Sequence, residues 1–447
     1  MFVRNRAGFL AASLTLVMLT LFGVTATARA ELAAAPPIGN IQGSDTAWLL
    51  ISAALVLMMT IPGLALFYGG MVRRKNVLGT LMHSFILAGL VTVQWMLIGY
   101  SLAFGPDWHG IIGSLAWAGL SGVGAAPNPD YAATIPHQAY MLYQCMFAII
   151  TPALITGAFA ERITFRGFVT FSLLWITFIY DPLAHWVWGA GGWIHELGAL
   201  DFAGGTVVHI SSGIAALAAA IVIGNRLGFP QDPMPPHNLT LTLLGAAMLW
   251  VGWFGFNGGS ALGANGLAVS AMVVTHVAAA AASLSWIAFE WSERGKPTVL
   301  GAATGAVAGL VAITPASGYV GPLAALFIGA IAGVACFYAV RLKFKFDYDD
   351  ALDVVGVHGV GGTLGALATG IFASKLINPG GADGLINGNP SQLLIQLIAV
   401  LASISFSFTG SFVLLKAVDF WVGLRVHTDE ERMGLDLAEH EEAGYTF

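Results

Sequence analysis

Charge is what this sequence has least of. Only 9% of its 447 residues are charged and 57% are apolar, against about 25% and 45–50% in soluble globular chains. Too few charges remain to coat a water-soluble body of this length, so a soluble fold is excluded. Basic residues number 18 against 24 acidic ones, which leaves no basic footprint for a nucleic-acid partner. Cysteine is nearly missing as well. Cys145 and Cys336 both lie in apolar runs and read as buried thiols rather than a disulfide framework. There is no HExxH, no cysteine cluster and no GxSxG elbow, so no hydrolase and no resident cofactor is implied. Glycine, by contrast, is plentiful at 56 residues, as in closely packed membrane helices.

The first thirty residues follow the layout of a secretory signal. Arg4 and Arg6 precede an apolar run from Phe9 to Val24, and Ala28-Arg29-Ala30 offers a small-residue cleavage site. Cleavage there would start the mature chain at Glu31. Eleven later apolar stretches are long enough to cross about 30 Å of hydrocarbon. They fall near 46–71, 77–104, 136–160, 167–186, 204–224, 239–259, 264–291, 299–314, 319–341, 355–373 and 392–424. The runs are continuous rather than alternating, which excludes a β-barrel. The predicted fold class is an all-α polytopic membrane protein of eleven transmembrane helices, with residues 31–424 as membrane domain and 425–447 as a charged tail. Lys and Arg concentrate in the loops after spans 1, 3, 5, 7 and 9 and in the tail, while the even-numbered loops hold only Lys375. That bias places the mature N-terminus outside and the C-terminus in the cytoplasm.

Two segments repeat. DFAGGTVVHISSG begins at Asp201 and DALDVVGVHGVGG at Asp350; in both, Asp precedes His by eight residues and Gly follows His by four. FYGG at Phe67 and FNGG at Phe256 form a second pair. Spans 1–5 and 6–10 then read as two halves of odd span number, hence of opposite orientation, followed by one extra C-terminal helix. Such inverted repeats typify transporters and place the substrate near the midplane. His209 and His358 occupy matching positions in spans 5 and 10. Brought together they could share one proton and line a pore, because a neutral imidazole offers one donor and one acceptor. The competing reading is zinc held by both His with Asp201 or Asp353. Those carboxylates precede the histidines by eight and five residues, more than a helical turn away, which weakens it. Asp201 and Asp353 read better as helix N-terminal carboxylates accepting backbone N–H bonds. His83 and His276 read as packing residues. Trp188 in HWVWGAGG, and Trp253, Phe256 and Ser260 in GWFGFNGGS, stand beside glycine-rich breaks. There they could hold a dehydrating cation or simply pack.

These strings carry a resemblance. GLALFYGGMVRRKNVL (63–78), TGAFAERITF (156–165), HWVWGAGGW (185–193), LDFAGGTVVHISSG (200–213), WVGWFGFNGGSA (250–261), DVVGVHGVGG (353–362) and the tail GLRVHTDEERMGLDLAEHEEAGY (423–445) are similar to those of the Amt ammonium transporter family. The segment GKPTVLGAATGAVAGLVAITPASGYV (295–320) matches too. The resemblance covers essentially all of the mature chain. It implies a homotrimer in a cell inner membrane, each subunit with its own narrow pore for ammonium or ammonia, and methylammonium as an analogue. It implies an outer cation site at Trp188, Ser260 and Tyr143, the last a Tyr where the family has Phe. It implies a stacked gate of Phe147 and Phe256, twin pore histidines at His209 and His358, a structural Asp201 and a pore-side Thr314. The tail matches one that packs across subunits in relatives, on a face where a PII-type signalling protein docks. An ammonium sensor and a Rhesus-type gas channel are the alternatives within reach. The missing appended signalling domain speaks against the first; Trp188 and Ser260 speak against the second.

Overall fold

The architecture follows from a chain that must satisfy every backbone polar group without water. The structure is a computed structural model that describes residues 40–446; the proposed signal segment, 1–30, lies outside the described residues. Ten helices in it are long and apolar enough to cross a membrane. In chain order the helices are α1 (Gly43–Met71), α2 (Arg74–Phe104), α3 (His137–Phe159), α4 (Phe165–Glu196), α5 (Gly205–Ile223), α6 (Leu239–Gly258), α7 (Gly266–Arg294), α8 (Val299–Ile313), α9 (Pro322–Phe346), α10 (Val355–Phe372) and α11 (Pro390–Trp421). The tail adds two short helices, α12 (Thr428–Met433) and α13 (Leu435–His440).

The expected eleventh span, 299–314, is α8. It has 15 residues and so reaches about 22 Å, short of the hydrocarbon thickness. The chain continues from it as an irregular segment over Thr314–Gly318, every residue of which is buried. Non-helical backbone at that depth is tolerated where protein covers it. α7 packs along both α8 and α9. Small residues permit this: a Cβ added to Gly309 or Gly329 would stand 2.4 or 2.2 Å from the Ala278 carbonyl. Outward-facing positions stay apolar, with Phe85, Val269, Leu284, Leu323 and Val413 all more than half exposed. α3 lies at the centre and is buried on nearly every side.

Several helices contain a π-helical turn, in which backbone bonds run i→i+5. They include Met59–Leu64 in α1 and Phe254–Gly258 in α6, and a pair at matching places of the sequence repeat, Gly205–Ile210 in α5 and Val355–Val360 in α10. The two histidines of the repeat lie inside the last pair.

The odd-numbered loops gather on one face around a buried ion network. Glu161 pairs with Arg73 and Arg226, and Asp349 with Arg226 and, more loosely, Arg162. The tail docks on this basic face of its own chain. Asn76 Oδ1 accepts from the Leu435 N–H at 2.8 Å, Asp436 Oδ1 accepts from the Gly79 N–H at 2.9 Å, and Lys75 Nζ donates to the Glu431 and Arg432 carbonyls. Glu431 in turn accepts from the Leu227 N–H and from Arg425. The charged end is therefore a packed strap across the loops, not a solvated one.

Burial alone would raise the carboxyls of Glu161 and Asp349, but the flanking arginines overcome it and hold both below their ordinary values. A depressed carboxyl stabilises the fold above its unfolded value and loses that contribution as pH falls through the folded one. The contribution of Glu161 and Asp349 to the stability of the purified protein should thus be fully present above the ordinary glutamate value of about 4.5 and decline below it. Arg226→Met leaves two buried carboxylates short of a partner and should cost about 3–5 kcal/mol, read as a lowered thermal midpoint in detergent; an unchanged midpoint would refute the network's role.

Candidate functional site: a vestibule, a gate and a histidine pair

On the face opposite the ion network, an open vestibule of 480 Å³ descends between α3, α4 and the loops after α4, α6 and α8. Trp188, Phe147, Ser260 and Asp201 line it. Trp188 is aimed by Asp201, whose backbone carbonyl accepts from the indole Nε1 at 2.9 Å. The carboxylate of the same residue accepts the backbone N–H groups of Gly204, Gly205, Thr206 and Val207, and the Thr206 hydroxyl. One residue thus caps α5, where orphan N–H groups would be costly, and orients the aromatic wall of the vestibule.

Tyr143 is placed differently from the outer-site wall expected of it. The face that α3 turns to the vestibule is Tyr140, Gln144 and Phe147, the i, i+4, i+7 stripe of one helix side. Tyr143 is fully buried off that stripe. Its hydroxyl lies within hydrogen-bond distance of the Gly255 and Phe256 carbonyls and of Ser260 Oγ at 3.2 Å. It therefore stands behind Ser260, whose own hydroxyl donates to the Phe256 carbonyl at 2.9 Å. The added hydroxyl relative to Phe is spent on positioning.

Phe147 and Phe256 close the vestibule floor. Their ring centroids are 4.3 Å apart at 34°. Beyond them lie two cavities of 10 Å³ each that share Phe67, Val307 and His358 as walls, each room for about one water-sized molecule. The second shares Met71, Leu352 and Asp353 with a 400 Å³ recess on the basic face. The cavities are strung along one line through the middle of the helix bundle.

His209 and His358 meet on that line. Their Nδ1 atoms are 3.2 Å apart and both rings are buried. A neutral imidazole carries one N–H, so this contact needs one ring to donate and the other to accept. Among the described residues His209 Nε2 is buried without a partner, on the wall of the first small cavity. His209 stacks on Trp253 at 5.5 Å, and Trp253 Nε1 donates to Thr314 Oγ1 at 2.9 Å. Thr314, fully buried, is not a wall of the line of cavities but the anchor of the ring behind His209.

The glycines of the repeat explain the meeting. A Cβ on Gly213 would stand 2.2 Å from the Gly359 nitrogen, and one on Gly362 would stand 2.9 Å from His209 Cβ. Each glycine, one turn beyond its own histidine, admits the backbone that carries the other.

The reading of Asp353 needs correction. It caps no helix: its backbone is left-handed at φ 64°, and its carboxylate pairs with Lys343 Nζ at 2.6 Å on the recess. Asp350 does the capping, accepting from the Val355 N–H at 2.7 Å. Burial pushes its carboxyl up to about 6, against the opposing pull of Lys343. Asp350 precedes His358 by eight residues, as Asp201 precedes His209, so the repeat spacing held the signal. His83 is buried against the Phe168 ring at 4.2 Å, a packing residue; His276 lies on an outward face beside Trp250. Among the described residues no three His, Cys, Asp or Glu side chains gather as metal ligands.

A family model described as Ammonium Transporter Family matches residues 47–445. The chain belongs to the ammonium transporter family. It is 54% identical over 406 residues to a protein named ammonium transporter from Bacillus subtilis, covering 91% of this chain and 99% of that one. Among solved structures, Mep2 of Saccharomyces cerevisiae superimposes with a TM-score of 0.83 at 36% identity, covering 87% of this chain and 89% of the other. A structure described as a sensor Amt protein gives 0.82 at 31% identity, covering 89% and 98%. Within this family member, Thr314→Val should strand the Trp253 N–H at a cost of about 1–3 kcal/mol. Thermal unfolding should show the loss and Thr314→Ser should restore it; equal midpoints in all three proteins would remove Thr314 from this role.

Proposed function

We propose that this chain is an ammonium transporter that captures ammonium in the vestibule and conducts ammonia past the histidine pair. The observation that carries the reading is the single line from Trp188 and Ser260, through the Phe147–Phe256 pair, to the His209–His358 contact. Near neutral pH the substrate is almost wholly the cation. An isolated charge at the bilayer centre costs at least about 3 kcal/mol, and each aromatic face returns about 0.5–2 kcal/mol. The rings of Trp188 and Phe147 can therefore begin dehydration but cannot finish the crossing. Deprotonation at the vestibule floor, with the proton passing to water in the open vestibule, removes the charge, and a water-sized neutral molecule fits cavities of 10 Å³. Potassium has no proton to lose and stops there. Below the gate, the unpartnered His209 Nε2 offers a polar contact on the wall of the first cavity.

The remaining parts of this reading are the 5+5 inverted repeat and a cleaved signal over 1–30. A homotrimer in a cell inner membrane completes it, with the N-terminus outside and the basic face towards the cytoplasm. The tail strap and the recess beside it form the surface we assign to a PII-type partner. An ammonium sensor is the second reading, favoured by the likeness to the sensor Amt structure; it predicts binding without flux.

Both readings meet in one measurement. In proteoliposomes given an ammonium jump, a transient current means that net charge crosses, and an internal pH rise without current means ammonia alone. Neither signal, with the protein folded, would overturn transport in favour of sensing. Replacing His209 and His358 together by Ala should abolish discrimination against potassium; unchanged selectivity in that variant would refute the histidine mechanism.

A further inference from the structure

The vestibule is far wider than anything the cavities below it can take. It holds 480 Å³, against 10 Å³ in each small cavity beyond the gate. Four aromatic residues line it and keep part of their surface open: Tyr131, Trp188, Phe202 and Tyr319. Of these only Trp188 belongs to the line that leads to the gate. The other three are placed by contacts of their own. The Tyr131 hydroxyl donates to the Phe104 carbonyl at 2.6 Å and accepts from the Ala190 N–H at 3.2 Å, and its ring stacks on Tyr140 with centroids 5.0 Å apart. Phe202 and Tyr319 meet edge to face at 5.6 Å and 82°. Two glycines admit that pair: a Cβ on Gly318 would stand 2.0 Å from the Phe202 ring, and one on Gly381 would stand 2.7 Å from the Tyr319 ring. The carboxylates of Asp130, exposed at the rim, and of Asp201 border the same space. Among the described residues no lysine or arginine lines it.

We infer that the upper vestibule is a binding site for quaternary ammonium cations, which occupy it without being conducted. This rests on the reading of the vestibule as the entrance of a cation path. Aromatic faces around a space that holds carboxylates and no fixed cation suit a ligand that spreads its charge over methyl groups. Such a ligand has no N–H to offer Ser260, so the rings of Tyr131, Phe202 and Tyr319, rather than the floor, are its match. It has no proton to lose, and a nitrogen bearing four methyl groups is wider than a water-sized cavity. It therefore stays above the Phe147–Phe256 pair and bars the way to ammonium.

Tetramethylammonium is the probe. Titrated calorimetrically into the purified full-length protein, it should show binding at about 10 mM, tenfold above a Kd of about 1 mM. In proteoliposomes it should raise the half-saturating ammonium concentration and leave the maximal signal unchanged. Phe202→Leu and Tyr319→Leu should each weaken its binding about threefold, the worth of one cation–π contact at an open site. Tyr319→Trp supplies the stronger ring and should tighten binding about twofold. No binding at about 10 mM, binding that does not compete with ammonium, or parent-like binding in the folded Leu variants overturns the site. If the Leu variants do not fold, parent-like binding in Tyr319→Trp overturns it instead. A parent protein that binds the probe but gives no ammonium-dependent signal would overturn the transport reading and leave the site standing.

Discussion

Everything on the line of cavities depends on how closely α5 can approach α10. The imidazoles share a hydrogen only because two helices cross with backbone against backbone, Gly213 against Gly359 and Gly362 against His209. The contact is reciprocal: each helix supplies a histidine and, one turn later, the gap into which the other fits. Helices in lipid gain little from apolar side chains meeting each other and much from close backbone packing. The same small residues that hold the bundle together therefore set the distance between the two imidazole rings. A methyl group at either glycine would push the helices apart and widen a 3.2 Å contact beyond hydrogen-bond range.

The supporting parts are arranged so that few groups carry several duties. Asp201 caps α5 with its carboxylate and turns Trp188 with its carbonyl. Phe256 closes the gate with its ring, while its carbonyl accepts from Ser260. Thr314 holds the Trp253 ring against which His209 stacks. Each is buried and hydrogen-bonded, so the site is rigid before any substrate enters, in keeping with its place at the centre of the bundle.

Much of this was legible in the residues, and the misses have physical causes. Hydropathy located nine of the spans within about five residues at each end and ended α4 ten residues early; it also read a full span at 299–314, where the helix has 15 residues, because a helix buried almost throughout by protein is as apolar as one that meets lipid. The repeat spacing identified His209, His358 and the glycines four residues on. It also pointed to Asp350, but proximity to the helix start favoured Asp353, and only the coordinates show that Asp353 turns away to Lys343. Family motifs put Tyr143 in the vestibule wall, whereas counting by helical period from Phe147 selects Gln144 and Tyr140. The tail read, by resemblance, as one that packs across subunits; that it straps onto Asn76, Gly79 and Leu227 of its own chain could not be seen without the loops it meets.

The Nδ1–Nδ1 contact has a consequence for timing. Two neutral rings that share a single hydrogen must be opposite tautomers, so one Nε2 is a donor while the other is an acceptor. The chain therefore has two mirror-related settings of the pair, alike in geometry and opposite in polarity. A proton handed through would leave the pair in the other setting. Before the next could follow in the same direction, both rings would have to exchange tautomers again. Under the proposed reading, proton passage through such a pair would be a turnstile with a reset, bounded by the slower of the two strokes.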